Sequence, residues 1–506
     1  MTLLLALPLA SLAGGERVNH EGRLLGALPV VTTPLLFNSP EADAVVSAMQ
    51  IMPMDNPWNE DVSQRPLLAN STAMITQITN DLASNRRTLR PFFEMNYVLV
   101  PDAQPAVPIA FLDYPDESDL DGGTTPNGLY PIPTNLPIET WPRETGSLTL
   151  AEWQVSNAGG DRHSIMVKPG VGFSWETWQT KRVAAAWQAS NGAKFPLASN
   201  ALRPAGWTSA DAAGLPMFPA LVRYDEGQRG VVEHALRLIV KRTRVGSIYP
   251  ATHNASVGNL TDPNIPAMGQ RLRLKASFAI PANWTLQEKS VLVALKKYGA
   301  IVADNGGFFS VSVCPDDRFP AGCFDHLSTV GISNFEVIQT TGATGGPRSA
   351  GAPAANAGAD QSIAFGAAAP LTGSVNGAGV IQWKALAGPG TVSIANAAQL
   401  NTTATFSHPG HYTLALSVAD GTHAVTYDPV AIDVVLNASV ILDGADAVVQ
   451  FPSLSGRLYR VEYSANLTSP WLTLSDNLSG TVAPLQFRDA GAIGQAQRFY
   501  RVRVLP

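Results

Sequence analysis

Short runs in which apolar and polar residues alternate, broken by Gly, Pro, Asp and Asn, dominate this chain. A period of two predicts strands. Residues 161–167 read as one strand, 169–172 as a turn, and 173–180 as a second strand rich in Trp. A loop of two or four residues sets His163 opposite Trp178 and Ile165 opposite Glu176, so that Asp161, His163, Glu176 and Trp178 share a face. A three-residue loop puts the His and the Glu on opposite faces. Residues 231–240 alternate too, with Val232, His234, Leu236, Leu238 and Val240 on one side and Glu233, Ala235 and Arg237 on the other. Residues 283–298 break the pattern: Val291, Leu292 and Leu295 form a helical stripe, Thr285 and Glu288 a capping box, and Gly299 a stop. A strand over 300–303 then delivers Asp304-Asn305-Gly-Gly to a loop. The expected fold is mainly β: a large β-rich N-terminal domain with at least one amphipathic helix, then two small β-sandwich modules.

Residues 341–355, rich in Gly, Ala, Pro and Thr, lack any hydrophobic period and read as a linker. They divide a large domain over 15–340 from modules over 356–437 and 438–506. The first module contains NAGADQSI, Trp383 on a central strand, GPGTVSI (388–394) and PGHYTLALSVADG (409–421). On those pieces it resembles the PKD-like family of immunoglobulin-type sandwiches, which implies a spacer or weak binder. That family's common Gly-Asp-Gly after the Trp strand is replaced by Lys384-Ala-Leu, so no ligand role carries over. The second module, with alternating runs over 457–463 and 498–504 around Trp471, resembles fibronectin-type or immunoglobulin-like C-terminal domains of exported bacterial proteins. Within the large domain, MDNPWNEDVS (54–63), DRHSIMV (161–167), NALRPAGWTSADAAGLP (200–216), LVRYDE (221–226), RLRLKASF (271–278) and ALKKYGAIVADNGG (294–307) resemble a family of exported bacterial proteins without a settled activity. The resemblance implies an intact exported domain and no mechanism.

Composition narrows the class. Over 506 residues, 45% are hydrophobic and 15% charged, and 43 Gly and 38 Pro supply the turns that many short strands need. A net charge of −6 without a long basic run argues against a nucleic-acid partner. Residues 1–14 form a short apolar run that ends in small residues and read as a signal peptide without the usual positive start. No later apolar segment is long enough for a membrane span. The expected location is therefore secreted or cell-surface. In an oxidising compartment the two cysteines, Cys314 and Cys323, are expected to form a disulfide across a turn-rich loop.

The candidate chemistry lies in the large domain. An acid, an imidazole and an indole on one sheet face suit a sugar cleft: the ring stacks on a pyranose while carboxylates exchange protons. Asp161, His163, Glu176, Asp211 and Asp304 are the catalytic candidates; Arg203, Trp178, Trp207 and His253 are candidates for binding substrate. Each has a structural alternative. Asp161 can cap a turn, His163 can satisfy a buried partner, Trp residues can pack, and Arg203 can fork onto a uronic acid or an internal Asp. Thr208 or Ser209 reads as the N-cap of a helix entering at Asp211. Ser209 lacks a Gly-any-Ser-any-Gly elbow and is a poor nucleophile candidate. His234 sits among apolar neighbours, the setting of a hydrogen-bonded core histidine. His163, His234 and His253 together could ligate zinc or copper, although their spacing fits no standard signature. The loop over 112–123 holds Asp113, Asp116, Glu117, Asp119 and Asp121, either a calcium loop or a solvated acidic turn. Three functions follow: a secreted polysaccharide hydrolase or lyase acting on extracellular or cell-surface glycan, a non-catalytic glycan-binding surface protein, or a metal-dependent secreted enzyme.

Overall fold

A computed structural model describes residues 17–339 and 353–505, apart from 257, 422–424, 482 and 496. The expected signal peptide, and the linker up to residue 352, lie outside the described residues; Ala354 and Ala355 already belong to a strand, Ala354–Asn356. The chain is mainly β, as its alternation predicts, and no described helix is long and apolar enough to cross a membrane.

Three sheets, of six, five and four strands, build the large domain over two apolar clusters. The first has six strands in the order Phe335–Val337, Arg271–Leu274, Ala300–Asn305, Leu236–Val240, Phe309–Val313 and Leu89–Phe93. Its central strand, Leu236–Val240, pairs parallel with Ala300–Asn305 and antiparallel with Phe309–Val313. Covered on both sides, it buries Leu236, Arg237 and Leu238 alike, so the expected division into one apolar and one polar side does not hold. The predicted helix spans Leu286–Lys297 with the Thr285/Glu288 capping box in place, and Gly299 at φ +67° ends it. Four shorter α-helices, Pro40–Ser47, Ser71–Asn80, Leu150–Val155 and Tyr224–Arg229, accompany it.

The second sheet has five strands, among them the predicted hairpin Ser164–Lys168 with Phe173–Trp178. Its loop holds four residues, and Ile165 lies opposite Glu176 as that loop length requires. The first strand starts late because Arg162 takes φ +51°, a left-handed conformation that interrupts the alternation before Ser164. Asp161 is consequently exposed in a turn instead of continuing the face of His163. The predicted helix after Thr208 is absent; residues 208–211 form a turn in which the Ser209 hydroxyl accepts from the Asp211 N–H at 2.9 Å.

The C-terminal residues form further sheets, antiparallel except where Gln361–Ala364 pairs parallel with Thr426–Val435. Trp383 is buried with Tyr412, Leu414, Leu416 and Ile432 in the first module, and Phe451, Tyr459 and Val461 are buried in the second. One contiguous apolar cluster runs through both, so the two modules share a core. Cys314 and Cys323 are buried free thiols, which corrects the expected disulfide. Cys314 continues the strand Phe309–Val313 with its N–H on the Val222 carbonyl, whereas Cys323 closes a separate turn onto Pro320. Burial pushes the Cys323 thiol up to about 11 and Cys314 well above the usual thiol range, so both stay protonated and unreactive.

Candidate active site

One face of the six-stranded sheet opens into a cleft of about 140 Å³. Its floor follows from register. Leu238 pairs with Val311 and Ile239 with Ser310, which places Arg237 beside Ser312. On the other side the parallel register shifts: Leu238 pairs with Val302, but Ile239 pairs with Asp304. This bulge skips Ala303 and moves Asp304 onto the face that carries Arg237 and Ile239. The chain then turns at Gly306, where a Cβ would sit 2.7 Å from Ile239 Cγ2. Glu94 follows the edge strand Leu89–Phe93 and meets the same face. Glu139 and His163 close the cleft from the start of the second sheet, and Asp161 sits at its margin.

Arg237 is the hub, with its side chain only 2% exposed. Its Nε donates to Asp211 at 2.9 Å, Nη2 to Asp304 at 2.6 Å, and Nη1 faces Glu94 at 3.6 Å. A buried guanidinium needs such partners, since an unpaired buried charge is costly. Burial pushes Asp211 up to about 6, against the pull of Arg237. Asp211 does not line the cleft; it holds Arg237 from behind.

The His163 ring is clamped at both nitrogens. Nδ1 lies 3.0 Å from Glu139 Oε2, and Nε2 lies 3.0 Å from the Ala210 carbonyl. A carbonyl only accepts and an ionised carboxylate only accepts, so both nitrogens donate and the ring is an imidazolium. Burial opposes that charge, but the Glu139 carboxylate outweighs it and raises His163 to about 9. In return, although burial works against ionisation, His163 holds Glu139 below the usual carboxylate value. Glu94 goes the other way. Burial, reinforced by the neighbouring Glu139 charge, pushes it up to about 7, although the Ser312 hydroxyl donates to it. The cleft thus places a carboxylic acid that keeps its proton near neutrality beside a carboxylate that has lost it.

Of the residues singled out from the sequence, Asp161, His163 and Asp304 line this cleft. Glu176 does not. Fully buried, it accepts from the Met217 and Phe218 N–H groups at 2.8 and 3.1 Å, and burial raises it to about 7. Arg203 is held by Asp119 and by the carbonyls of Glu117 and Thr208, and does not border this cleft. Trp178 tilts against Tyr114, Trp207 lies 5.6 Å from the Arg203 guanidinium, and His253 Nδ1 bonds the Ala212 carbonyl at 2.7 Å; none of the three borders the cleft. His234 is the satisfied core histidine, bonded to the Ala235 carbonyl and to Glu226. The three histidines therefore face different partners, and no described cluster of His, Cys, Asp or Glu is arranged to hold a metal. In the acidic loop, Asp113 accepts from Ser190, Glu117 from the Thr208 N–H, Asp119 from Arg203, and Asp121 from Trp175 and Lys194. These carboxylates staple the loop to the sheets and do not converge on a cation.

Glu94, Glu139 and Arg237 complete the site, and sequence reading alone passed over them. Arg237 leaves one signal, a charged residue inside the apolar strand Leu236–Val240. No protein-family model matches the chain, and no curated protein matches it. Among solved structures, the secreted serine protease VesC from Vibrio cholerae aligns over 28% of this chain and 48% of its own length, at 10% identity and a TM-score of 0.12. That likeness is too slight to inform either fold or chemistry.

Proposed function

We propose that this chain is an exported glycan hydrolase whose acid/base pair is Glu94 and Glu139. The observation that carries the reading is the opposite displacement of two carboxyl groups lining one cleft, Glu94 up to about 7 and Glu139 downward. Hydrolysis of a glycosidic bond needs such a division. Glu94 gives its proton to the leaving glycosidic oxygen as the carbon–oxygen bond breaks. Glu139 takes a proton from the water whose oxygen bonds to the anomeric carbon. His163 is a positioning residue that keeps Glu139 ionised, and Arg237 fixes Asp304 at the floor.

Further support comes from the lining, which includes the polar residues Asn305 and Ser310. Phe92 and Phe308 pack edge to face at 5.1 Å within the lining and supply an aromatic wall, in place of the Trp residues expected from the sequence.

The test is turnover on a glycan panel, scored by new reducing ends without unsaturated product. Wild type is expected to cleave at least one glycan, and Glu94→Gln and Glu139→Gln to lose roughly 10²–10⁴-fold in kcat while keeping their circular dichroism. Wild-type rates in both variants would remove the pair from the mechanism.

A further inference from the structure

A second and larger cavity, about 550 Å³, lies on the other side of Phe92, which lines both. That volume falls in the usual range for small-molecule sites. It is bounded by the edge strand Leu89–Phe93 of the six-stranded sheet and by the short helix Asp325–Thr329. Its walls are aromatic, Phe92, Phe93 and Phe324, and its charge comes from Arg90, Arg143 and a single acid, Asp325.

The two arginines lack the carboxylate partners that hold several others in the domain. Arg203, Arg237 and Arg318 are each locked onto carboxylates. Neither Arg90 nor Arg143 forms an ion pair with a described carboxylate. Among the described residues the buried Arg90 Nε has no hydrogen-bond partner, and the side chain makes one long bond, Nη2 to the Asn85 carbonyl at 3.4 Å. The Arg143 guanidinium lies over the Phe93 ring, its Cζ 3.9 Å from the centroid, and donates from Nη1 to the Asp316 carbonyl. Stacking of this kind holds a guanidinium in place with donors left over. A third cation, Arg86, lies 4.3 Å over Phe308 in the lining of the acid cleft.

We infer that this cavity is a subsite for a carboxylate-bearing sugar unit, so that the substrate of the adjoining cleft is an acidic, uronate-containing glycan. A carboxylate accepts two parallel bonds from a guanidinium, the pyranose face lies on the Phe wall, and Phe92 separates the anionic unit from the acidic floor at Glu139 and Asp304. The inference rests on the acid/base reading of the cleft only for what happens after binding.

The experiment is calorimetric binding of a galacturonate tetramer and of the same tetramer with its carboxyl groups reduced to alcohols. Wild type and Glu94→Gln are expected to prefer the acidic tetramer by about tenfold or more, the scale of one charge-assisted bond pair. Arg90→Gln/Arg143→Gln is expected to abolish the preference while leaving the weak neutral binding in place. Equal affinity of wild type for the two tetramers, or no binding of either, overturns the subsite whether or not the variant folds. A preference that survives in a folded Arg90→Gln/Arg143→Gln protein also overturns it. A clear preference without any cleavage supports the subsite and counts against the acid/base reading alone.

Discussion

His163 and Glu139 form a buried charged pair, Nδ1 to Oε2 at 3.0 Å, and the negative charge fixed there helps keep the nearby Glu94 protonated. In one cleft His163 and Glu94 thereby keep their protons while Glu139 gives its own up, the division that a hydrolytic acid/base pair requires.

The first consequence is a pH profile. Glu94 must carry its proton to act as acid, so kcat/KM is expected to fall about tenfold per unit above roughly pH 7. The acid limb belongs to Glu139 and is expected below the ordinary value of 4.5, since His163 lowers it. Rates measured from about pH 3 to about pH 10 check this, and a flat profile across neutrality would contradict it.

Stability follows the same pair with a definite sign. Folded His163 titrates at about 9 against an ordinary 6.5, so its contribution is full below pH 6.5 and is lost as pH rises through 9. Glu139 behaves oppositely, contributing above its ordinary 4.5 and losing that contribution as pH falls through its lowered value. His163→Gln is expected to cost about 3 kcal/mol near pH 6 and much less near pH 10. Urea midpoints at both values measure the difference.

Arg237 holds both Asp211 and Asp304. Arg237→Gln strands Asp211, whose side chain is 1% exposed, and is expected to cost about 3–5 kcal/mol. Adding Asp211→Asn is expected to recover part of that loss, which a double-mutant cycle in urea reads directly.

Glu176 has a structural task. Glu176→Gln turns an amide N–H toward one of the Met217 and Phe218 donors and is expected to cost about 1–3 kcal/mol. Turnover in that variant is expected to stay within a few-fold of wild type, and a larger loss would return Glu176 to the cleft.

Local pattern carried much of the fold and only part of the site. The capping box at Thr285, the stop at Gly299 and the four-residue hairpin loop are short-range signals, and each appears where the sequence puts it. His163 is legible as an ionisable group on a strand and Asp304 as one in the loop after a strand, which in the structure runs on through Asn305. Their partners are not legible, because Glu94, Glu139 and Arg237 come from segments far apart in the chain and meet only after the sheets assemble. Asp304 in addition needs the bulge at Ala303 to face Arg237, and no alternation rule foretells it. Arg203 and Glu176 misled for the opposite reason, since their chemistry is satisfied internally by a carboxylate and by backbone N–H groups.

The cysteines give an inexpensive check of the core. Both thiols are buried and free, so thiol reagent without reductant is expected to find none in the folded protein and two per chain in denaturant. No reactive thiol after denaturation would indicate an oxidised pair.

The central claim, one protonated and one ionised carboxyl in the same cleft, is tested most directly by carbon-13 NMR titration of glutamate side-chain carboxyls, with the two signals assigned through Glu94→Gln and Glu139→Gln. Glu94 is expected to titrate near pH 7 and Glu139 below its ordinary 4.5. Coincident titration of both close to 4.5 would contradict the account.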